Sequence, residues 1–459
     1  MDRIILATHG TYGDVHPFIG LALKLKRKGY LPVIASSERY RSKVTNEGIA
    51  FERVRPDERE AQHALGIDDA ELTRRISAPG AGGIEFLLRS LVLPYLRQSY
   101  EDILRLTAQA QLIVTSSFAY GATLAAEKSG LPYVNVTLQP VMYASAYDPP
   151  RPLQMSWLRA RHAPLAVGLS SLALRAFDGR IGRCAAPIHA LRSEIGLPRA
   201  SANPLLRGQF SPYANVGLYS RVLGDVQVDF PDHTTIAGFS LYDHECGQPQ
   251  SLDEELERFL TSGPAPLVFA LGSQAVHSPG DFFRLGANVA RSLGMRAVLV
   301  VGRDTARPAL SGPTAEVMVV PYAAYSQLFP RAAAVVHHGG IGTTGQALHS
   351  GRPQLIIPFW GDQHDNAHRV VRLGAGRTLR RSRVSFDRLS AELRLLLGSP
   401  AHAQSAAAVA ASIREEDGAD RAADIIADVL QTRASERPRE VPAHLRSPDP
   451  GDRTSVQMA

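Results

Sequence analysis

Cysteine is almost absent from this chain of 459 residues, which contains only Cys184 and Cys246. Two cysteines that lie this far apart cannot build a disulfide framework, and they do not form the close ligand pairs of a structural zinc site. Such scarcity is typical of proteins that fold in a reducing compartment. The sequence therefore favours a cytoplasmic protein whose domains are stabilised by apolar cores.

Long apolar runs are also missing. A membrane-spanning helix needs about 18 or more consecutive apolar residues, and no such run occurs. The opening residues, MDRIILATHG, lack the basic segment and long apolar core of a signal peptide. We therefore expect no transmembrane segment. A peripheral contact at the inner face of the membrane stays open.

Charge of one sign is not concentrated in any segment. The formal net charge is +6, but the basic residues are scattered, mostly arginine, and not interleaved with aromatic residues. This distribution does not indicate nucleic-acid binding. With 44% apolar residues and 459 residues in all, the chain has the composition of a globular protein and the length of two domains.

The N-terminal segment predicts a strand, a helix and a second strand. Arg3–Ala7 and Leu31–Ala35 are the strands, and a turn with Gly10 and Gly13 leads into the helix. The turn lacks the G-x-G-x-x-G spacing of a dinucleotide site, and the second strand ends in Ala35-Ser36-Ser37, where an acidic residue for a ribose would be expected. A Rossmann-like sheet is predicted, but a dehydrogenase is disfavoured.

A glycine-rich stretch beginning at His337 is the most informative part of the sequence. A short apolar run ends at Val336, and a helix is predicted over 343–350. A strand, a glycine turn and a helix N-terminus together favour a bound phosphate, although an ordinary α/β turn has the same pattern. The candidate diphosphate ligands are His337, Gly339, Gly340, Gly342, Thr343 and Thr344.

Polar residues follow the next predicted strand, 355–357. Asp362 and Gln363 come just after it and before another helix, with Trp360 beside them. Ligands in open α/β sheets bind outside the carboxyl ends of the strands. A carboxylate and an amide at that edge suit the hydroxyls of a sugar ring. Together with the phosphate turn, they predict a nucleotide-sugar site.

The segment HHGGIGTT…PQLIIPFWGDQ..NA.RV..LGAG resembles the donor-binding signature of family-1 glycosyltransferases of the two-Rossmann (GT-B) type. The nearest branches are the bacterial and sterol-type glucosyltransferases and the rhamnolipid rhamnosyltransferases. The resemblance covers most of 1–430. It implies an α/β protein with two Rossmann-like domains that face a cleft, and a C-terminal helix that crosses back to the first domain.

The expected boundaries follow from this resemblance and from composition. An acceptor-binding domain spans 1–238, a linker 239–251 and a donor-binding domain 252–432. The remaining 433–459 is rich in Pro, Arg and acidic residues and is predicted to be a disordered tail. The resemblance also assigns Ser273 to the donor diphosphate, and Tyr322 with Ala323 to the nucleotide base.

The turn GTYGDVHP resembles the acceptor-side loop of the same family. Many members have a catalytic histidine at the position of Asp14, with a relay aspartate in a later loop that here begins with Ser116 and Ser117. We therefore expect Asp14 to be the general base, since a carboxylate needs no second carboxylate to fix a tautomer. The alternatives are that Asp14 is the N-cap of a helix whose first turn contains Pro17, or that His16 is the base.

The resemblance implies an inverting transfer of a hexosyl group from a UDP- or dTDP-sugar, of glucose or rhamnose type. Segments 57–110 and 140–180 are expected to bind a small lipophilic acceptor. No Asp-x-Asp pair is present, so neither a metal nor a cofactor is expected. A sugar-nucleotide epimerase or a non-catalytic binding subunit are the alternatives. A phosphorylase is excluded because the predicted second domain has no lysine for its cofactor.

Overall fold

The computed structural model describes residues 1–78, 81–151, 164–244, 251–303, 308 and 316–436. Seven described strands form a first parallel sheet in the order β3-β2-β1-β4-β5-β6-β7. Their bounds are β1 Arg3–Ala7, β2 Leu31–Ser36, β3 Ala50–Arg53, β4 Leu112–Ser116, β5 Tyr133–Thr137, β6 Ala214–Gly217 and β7 Thr234–Ile236.

Helices connect these strands. They are α1 Tyr12–Arg27, α2 Arg41–Asn46, α3 Glu58–Leu65, α4 Asp69–Ile76, α5 Gly82–Phe86, α6 Leu96–Thr107, α7 Tyr120–Ser129, α8 Pro164–Gly182 and α9 Ala186–Glu194. Both faces of the sheet are covered, because Ile4 and Leu6 belong to one apolar core whereas Ile5 and Ala7 belong to another. This double burial explains why the residues Ile4–Ala7 of β1 are all apolar.

A second parallel sheet follows, in the order β10-β9-β8-β11-β12-β13. Its strands are β8 Leu267–Ala270, β9 Ala297–Val300, β10 Val317–Val320, β11 Ala334–His337, β12 Gln354–Ile356 and β13 Gly376–Thr378. The helices of this half are α10 Glu254–Thr261, α11 Phe282–Ser292, α12 Tyr325–Leu328, α13 Ile341–Ser350, α14 Gln363–Arg372, α15 Phe386–Gly398, α16 Pro400–Arg414 and α17 Gly418–Glu436.

The last helix crosses back to the first half, as predicted. Lys28 at the end of α1 lies 2.7 Å from Asp424 and 3.3 Å from Asp420 on α17. Apolar residues of α17 share a core with α1, including Ile426 with Leu25. The helix extends to Glu436, and the rest of the segment predicted as a tail lies outside the described residues.

Helix α1 begins earlier than the sequence suggested. Thr11 is its N-cap, and Asp14 completes a capping box. The helix therefore starts at Tyr12, and Pro17 lies within it rather than in its first turn. The cause is the T-x-x-D spacing, in which each side chain bonds to an otherwise unpaired N–H group of the other residue.

Each sheet has a point where the strand order reverses. In the first sheet it lies between β1 and β4, and in the second between β8 and β11. Ligands of open α/β sheets bind at such points, outside the carboxyl ends of the strands. The turns after these four strands contain Asp14, Ser117, Ser273 and the glycines after His337. The topology therefore places most of the predicted residues at the two reversal points.

Candidate functional site

The reversal point of the second sheet is built around the ring of His338. Its Nδ1 accepts a hydrogen bond of 3.2 Å from the backbone N–H of Gly272. A Cβ atom would lie 2.5 Å from His338 Nε2 if placed on Gly272, and 2.4 Å if placed on Gly340. Only glycine at both positions lets the two turns close on the ring. Because Nδ1 is an acceptor, the proton of the neutral ring is on Nε2.

The chemistry of His338 follows from its burial. The residue is only 6% exposed. Burial, helped by the neighbouring His337, lowers the pKa of His338 from 6.5 to about 3. No partner for Nε2 occurs in the part of the chain that the structure describes. The turn therefore offers a neutral N–H donor between two strand ends.

His337 has a different environment from the one expected of a diphosphate ligand. It is 0% exposed, its Nε2 lies 2.9 Å from Gln354 Oε1, and its Nδ1 accepts from Gly339 N at 3.1 Å. Both ring nitrogens are thus used inside the domain. His337 therefore faces inward at the end of its strand, and the chain turns only at Gly339, whose φ is +90°. This geometry disfavours His337 as a direct diphosphate ligand.

The N-terminus of α13 supplies further donors. The helical ladder starts with the bond from Thr344 N to Gly340 O at 2.9 Å, so the N–H groups of residues 341–343 lie before it. Thr343 is 8% exposed, and a Cβ on Gly342 would meet no atom within 4 Å. Thr344 is 0% exposed, and its Oγ1 is buried without a hydrogen-bond partner among the described residues, so its contact with the diphosphate stays a prediction. Ser273 is half-buried across the reversal point.

Asp362 occupies the N-cap position of α14, one strand away. Its side chain caps no backbone N–H group. Instead Oδ2 accepts a 2.8 Å bond from Asn366 Nδ2, which also donates to Gly339 O at 3.0 Å. Burial, and then the negative charge of Asp14, raise the pKa of Asp362 from 3.8 to about 7. Asp14 therefore acts on Asp362 across the space between the two sheets.

Gln363 holds the loop that precedes it. Its Oε1 accepts from Phe359 N at 2.9 Å and from Trp360 N at 3.2 Å. The amide oxygen is thus engaged, and the amide nitrogen is the group left to meet a sugar hydroxyl. The half-buried Trp360 packs edge-on against Phe359, with 6.0 Å between the ring centroids.

Tyr322 and Ala323 follow β10, two strands from β8. At about 4.8 Å per strand, that is about 10 Å, a distance that a nucleoside spans. The guanidinium of Arg303 lies over the Tyr322 ring, 4.5 Å from its centroid. A base stacked on this tyrosine would use the other ring face or displace Arg303.

Asp14 has a structural role at the reversal point of the first sheet. Its Oδ2 accepts from Thr11 N at 2.7 Å and from Thr11 Oγ1 at 3.1 Å. Asp14 therefore takes part in capping α1, as the alternative interpretation expected, although the N-cap residue is Thr11 and not Asp14. Capping and general-base catalysis both need an ionised carboxylate, so the two roles are compatible.

Two histidines flank this turn. His16 packs against Tyr12 and Tyr242, with ring centroids 5.2 and 5.3 Å away, and burial with the charge of Lys43 lowers its pKa to about 3. Burial also lowers the pKa of His9, which sequence reasoning missed, to about 4. His9 Nδ1 and His16 Nε2 are buried and have no hydrogen-bond partner among the described residues. Both rings are therefore neutral near pH 7, and each is a weaker base than a free imidazole.

Two family models match the chain in its two halves. The glycosyltransferase family 28 N-terminal domain matches residues 4–147, and the erythromycin biosynthesis protein CIII-like C-terminal domain matches residues 294–431. The two matches cover the turns that carry Asp14 and Asp362.

The chain is a GT-B glycosyltransferase.

Curated relatives of this glycosyltransferase span nearly its whole length. It is 28% identical to the O-mycaminosyltylonolide 6-deoxyallosyltransferase of Streptomyces fradiae, over 94% of this chain and 99% of the relative. It is also 28% identical to the vancomycin aglycone glucosyltransferase of Amycolatopsis orientalis, over 93% and 98%. The sterol 3-beta-glucosyltransferase of Yarrowia lipolytica is 27% identical, over 90% of this chain and 28% of that protein.

Solved structures share the fold of the glycosyltransferase. The glycotransferase of kitacinnamycin superposes with a TM-score of 0.66 at 23% identity, over 93% of this chain and 99% of the other. The glycosyltransferase VinC in complex with dTDP superposes with a TM-score of 0.63 at 17% identity, over 94% and 100%. The predicted two-domain GT-B architecture is thereby confirmed.

The acceptor segments of the glycosyltransferase are only partly described. Residues 152–163 of the expected acceptor segment 140–180 lie outside the described residues. Helix α8 follows them, and its Leu165 and Leu172 are 66% and 65% exposed. Across the described ranges, no cluster of three or more His, Cys, Asp or Glu side chains is arranged to hold a metal ion. None of the described helices has the length and apolar character needed to cross a membrane.

Sequence reasoning on this glycosyltransferase missed His338 and Asn366. Asn366 lies four residues after Asp362, a spacing that places both on one face of α14. That spacing was the available signal. The Asn366 side chain donates to Gly339 O in the glycine turn and to the Asp362 carboxylate, which is expected to bind the sugar.

Proposed function

We propose that this enzyme is an inverting, metal-independent hexosyltransferase that uses a UDP- or dTDP-sugar and a hydroxyl group of a small lipophilic acceptor. One observation carries the proposal. Residues of α1, α13 and α14 pack in one apolar core, so the helix whose first turn holds Asp14 and the helix that begins at Asp362 meet at one cleft. The negative charge of Asp14 also contributes, after burial, to the raised pKa of Asp362.

Asp14 removes the proton of the acceptor hydroxyl. The oxygen attacks C1 of the sugar from the face opposite the nucleotide, and the bond between C1 and the diphosphate oxygen breaks. A single displacement of this kind inverts the configuration at C1. General-base assistance contributes about 10²–10⁴-fold when the base lies within hydrogen-bond reach of the hydroxyl.

The departing diphosphate is received by donors at the second reversal point. The N–H groups at the start of α13, His338 Nε2–H, and the hydroxyls of Ser273 and Thr343 supply neutral donors and a helix dipole. Such fixed donors stabilise negative charge as it develops, without rearranging during the reaction. We infer that they take the place of a divalent cation, and that no cofactor is needed.

Asp362 and Gln363 hold the sugar. The carboxylate accepts hydrogen bonds from ring hydroxyls, and the Gln363 amide nitrogen donates to one. Asn366 keeps Asp362 in register with the phosphate turn through its two hydrogen bonds. The dTDP complex of VinC supports a dTDP-sugar as a candidate donor, and the names of the glucosyltransferase relatives support glucose as a candidate sugar.

The acceptor is expected to be a natural-product or sterol-like molecule. The relatives are named for O-mycaminosyltylonolide, vancomycin aglycone and a sterol. Helix α8 adds an exposed apolar surface beside the predicted acceptor region, with Leu165 and Leu172. These observations favour a lipophilic acceptor over a free sugar.

The proposal is tested in two steps. Thermal unfolding is first measured with a panel of UDP- and dTDP-sugars, because a donor at about 100 times its Kd stabilises the folded state by about 2.7 kcal/mol. The best donor is then incubated with lipophilic alcohols, and the anomeric configuration of the product is read by NMR. Inversion supports the proposal, whereas retention or stabilisation by no donor contradicts it.

A further inference from the structure

Helix α14 carries a second set of contacts besides those of Asp362. Asp365 Oδ2 accepts a 2.6 Å bond from Arg369 Nε, one turn further along the helix. Both side chains are fully buried, at 0% and 1% exposure. A buried arginine needs partners for its remaining N–H groups, and α14 itself does not supply them.

Those partners come from the other half of the molecule. Arg369 Nη1 donates to the carboxylate of Asp148 and, at 2.8 Å, to Leu223 O. Asp148 lies after β5, and Leu223 lies after β6, in the acceptor domain. In return, Arg151 N donates to Asp365 Oδ1 at 3.1 Å. Each member of the buried pair is therefore bonded to both domains.

The outer edge of this contact is partly exposed, and its centre is buried. Arg372 lies 3.3 Å from Asp148 and donates to Leu223 O at 3.1 Å. A cavity of about 140 Å³ opens beside Asp148 and Arg372, with Gly224 and Arg221 in its wall. A Cβ on Gly224 would lie 2.9 Å from Arg369 Nη1, so the backbone approaches the guanidinium closely.

Buried charges of this kind favour one geometry. Ion pairs in the interior contribute little net stability, but leaving one partner unpaired is costly. The Arg369 contacts therefore penalise any arrangement of the domains in which Asp148 and Leu223 move away from α14. The same helix starts at Asp362 and Gln363.

We propose that Arg369 is a positioning residue that holds α14 against the acceptor-domain loops at Asp148 and Leu223, and so sets Asp362 and Gln363 for the donor sugar. This inference rests on the proposed function of those two residues. Arg369 itself touches no substrate. Its loss should affect recognition of the sugar more than recognition of the diphosphate, which is bound by α13.

The first variant is Asp148→Asn, which removes the acceptor-domain charge at nearly constant shape. Asp102→Asn is the matched control, because Asp102 also holds two arginines, Arg55 at 2.7 Å and Arg105, but within one domain. The two carboxylates have similar exposures, 11% and 5%. Amide hydrogen exchange of residues 219–224 and 363–372 is measured first, and needs no activity.

We expect faster exchange in both segments of Asp148→Asn. Its affinity for UDP-glucose or dTDP-glucose should fall by about tenfold, as for a lost charge-assisted contact, with affinity for UDP or dTDP nearly unchanged. The control should change neither. The proposal is overturned if Asp148→Asn lowers the melting temperature as much as the control does, while hydrogen exchange in both segments and sugar-nucleotide affinity stay at their wild-type values.

Arg369→Lys covers the case in which Asp148→Asn does not fold. Lysine keeps the charge but cannot reach three partners in the fork geometry of arginine. Weakened sugar-nucleotide affinity with faster exchange at 219–224 supports the proposal, whereas wild-type values for both refute it. If the wild-type protein binds no sugar nucleotide at all, the proposed function fails, and the exchange data alone then decide whether Arg369 joins the domains.

Discussion

Different residues at the second reversal point are proposed to bind the sugar and the diphosphate of the donor. Asp362→Ala should lower affinity for the sugar nucleotide by about ten- to a hundredfold, since a charge-assisted hydrogen bond contributes roughly 1.5–3 kcal/mol. Affinity for the bare nucleoside diphosphate should stay nearly the same. Calorimetric titration with UDP or dTDP and the matching sugar nucleotide measures both. Equal losses would show that Asp362 acts only on the structure.

His338→Ala should lower the affinity for both the nucleoside diphosphate and the sugar nucleotide, because the diphosphate is common to the two ligands. A donor to a charged group contributes roughly 1.5–3 kcal/mol, which corresponds to about ten- to a hundredfold in the same titrations. His402→Ala is the control, since His402 bonds to Gly374 O within the same domain. If His338→Ala binds the bare diphosphate as the wild type does, the ring does not face the ligand.

The raised pKa of Asp362 predicts that the stability of the folded protein depends on pH. The pKa of this carboxyl group is 3.8 normally and about 7 in the folded protein, so between these values only the folded state keeps the proton. The free energy of unfolding therefore falls as pH rises through that window. Urea denaturation should show Asp362→Asn gaining stability over the wild type from pH 5 to pH 8.

The variant Asp14→Asn tests the cause of this shift. The charge of Asp14 contributes to the raised pKa of Asp362. Without it, the window should move to lower pH. A pH profile identical to that of the wild type would mean that the two carboxylates do not face each other, and the geometry behind the proposed function would be lost with it.

At the scale of elements, the turn before α13 offers a pair of glycines with opposite surroundings. Gly340→Ala should disturb the ring of His338 and lower both stability and donor affinity, because its Cβ would lie 2.4 Å from Nε2. Gly342→Ala should stabilise the helix by up to about 1 kcal/mol. It should also lower the affinity for the diphosphate, because the added methyl group would occupy the space proposed for that ligand.

Gly168→Ala in α8 is the control for this pair, since a Cβ there also meets no atom within 4 Å. It should change stability without changing donor affinity. Thermal unfolding and titration with UDP or dTDP measure both quantities. Unchanged diphosphate affinity in Gly342→Ala would place the ligand elsewhere.

Sequence patterns predicted most elements of the fold, and the exceptions have local causes. Arg3–Ala7 is a strand as expected, because the short apolar run Ile4–Ala7 before a turn favours a buried strand. The start of α1 was placed too late, since the capping box of Thr11 and Asp14 outweighs the usual preference of proline for a first turn.

The sequence alone does not show whether His337 or His338 faces the cleft. Side chains alternate along a strand, so which histidine faces the cleft depends on the residue at which the strand ends. Arg369 and Asn366 were missed for a related reason. Their spacing from Asp365 and Asp362 marks one helix face, but their partners, Asp148 and Gly339, lie far away in sequence.

At the scale of the whole molecule, the two sheets meet along an apolar core that includes residues of α1, α13, α14 and α17. The reversal points of both sheets thereby contribute to one cleft. Neither sheet alone holds both a candidate base and a candidate donor site. Catalysis is therefore expected to depend on the domains staying together.

Metal independence is a property of this combined site. The proposed donors to the diphosphate are backbone N–H groups, an imidazole and hydroxyls, so transfer should proceed at full rate in excess EDTA. The assay needs only the product formed with and without chelator. Loss of transfer that Mg²⁺ or Mn²⁺ restores would contradict this prediction.

The central claim is that Asp14 removes the acceptor proton opposite a donor held by the second domain. Single-turnover transfer by Asp14→Asn and His16→Ala, with donor affinity measured in parallel, tests it most directly. We predict that Asp14→Asn binds the donor nearly as the wild type does but transfers about 10²–10⁴-fold more slowly. Normal transfer by Asp14→Asn together with an inactive His16→Ala would contradict the account.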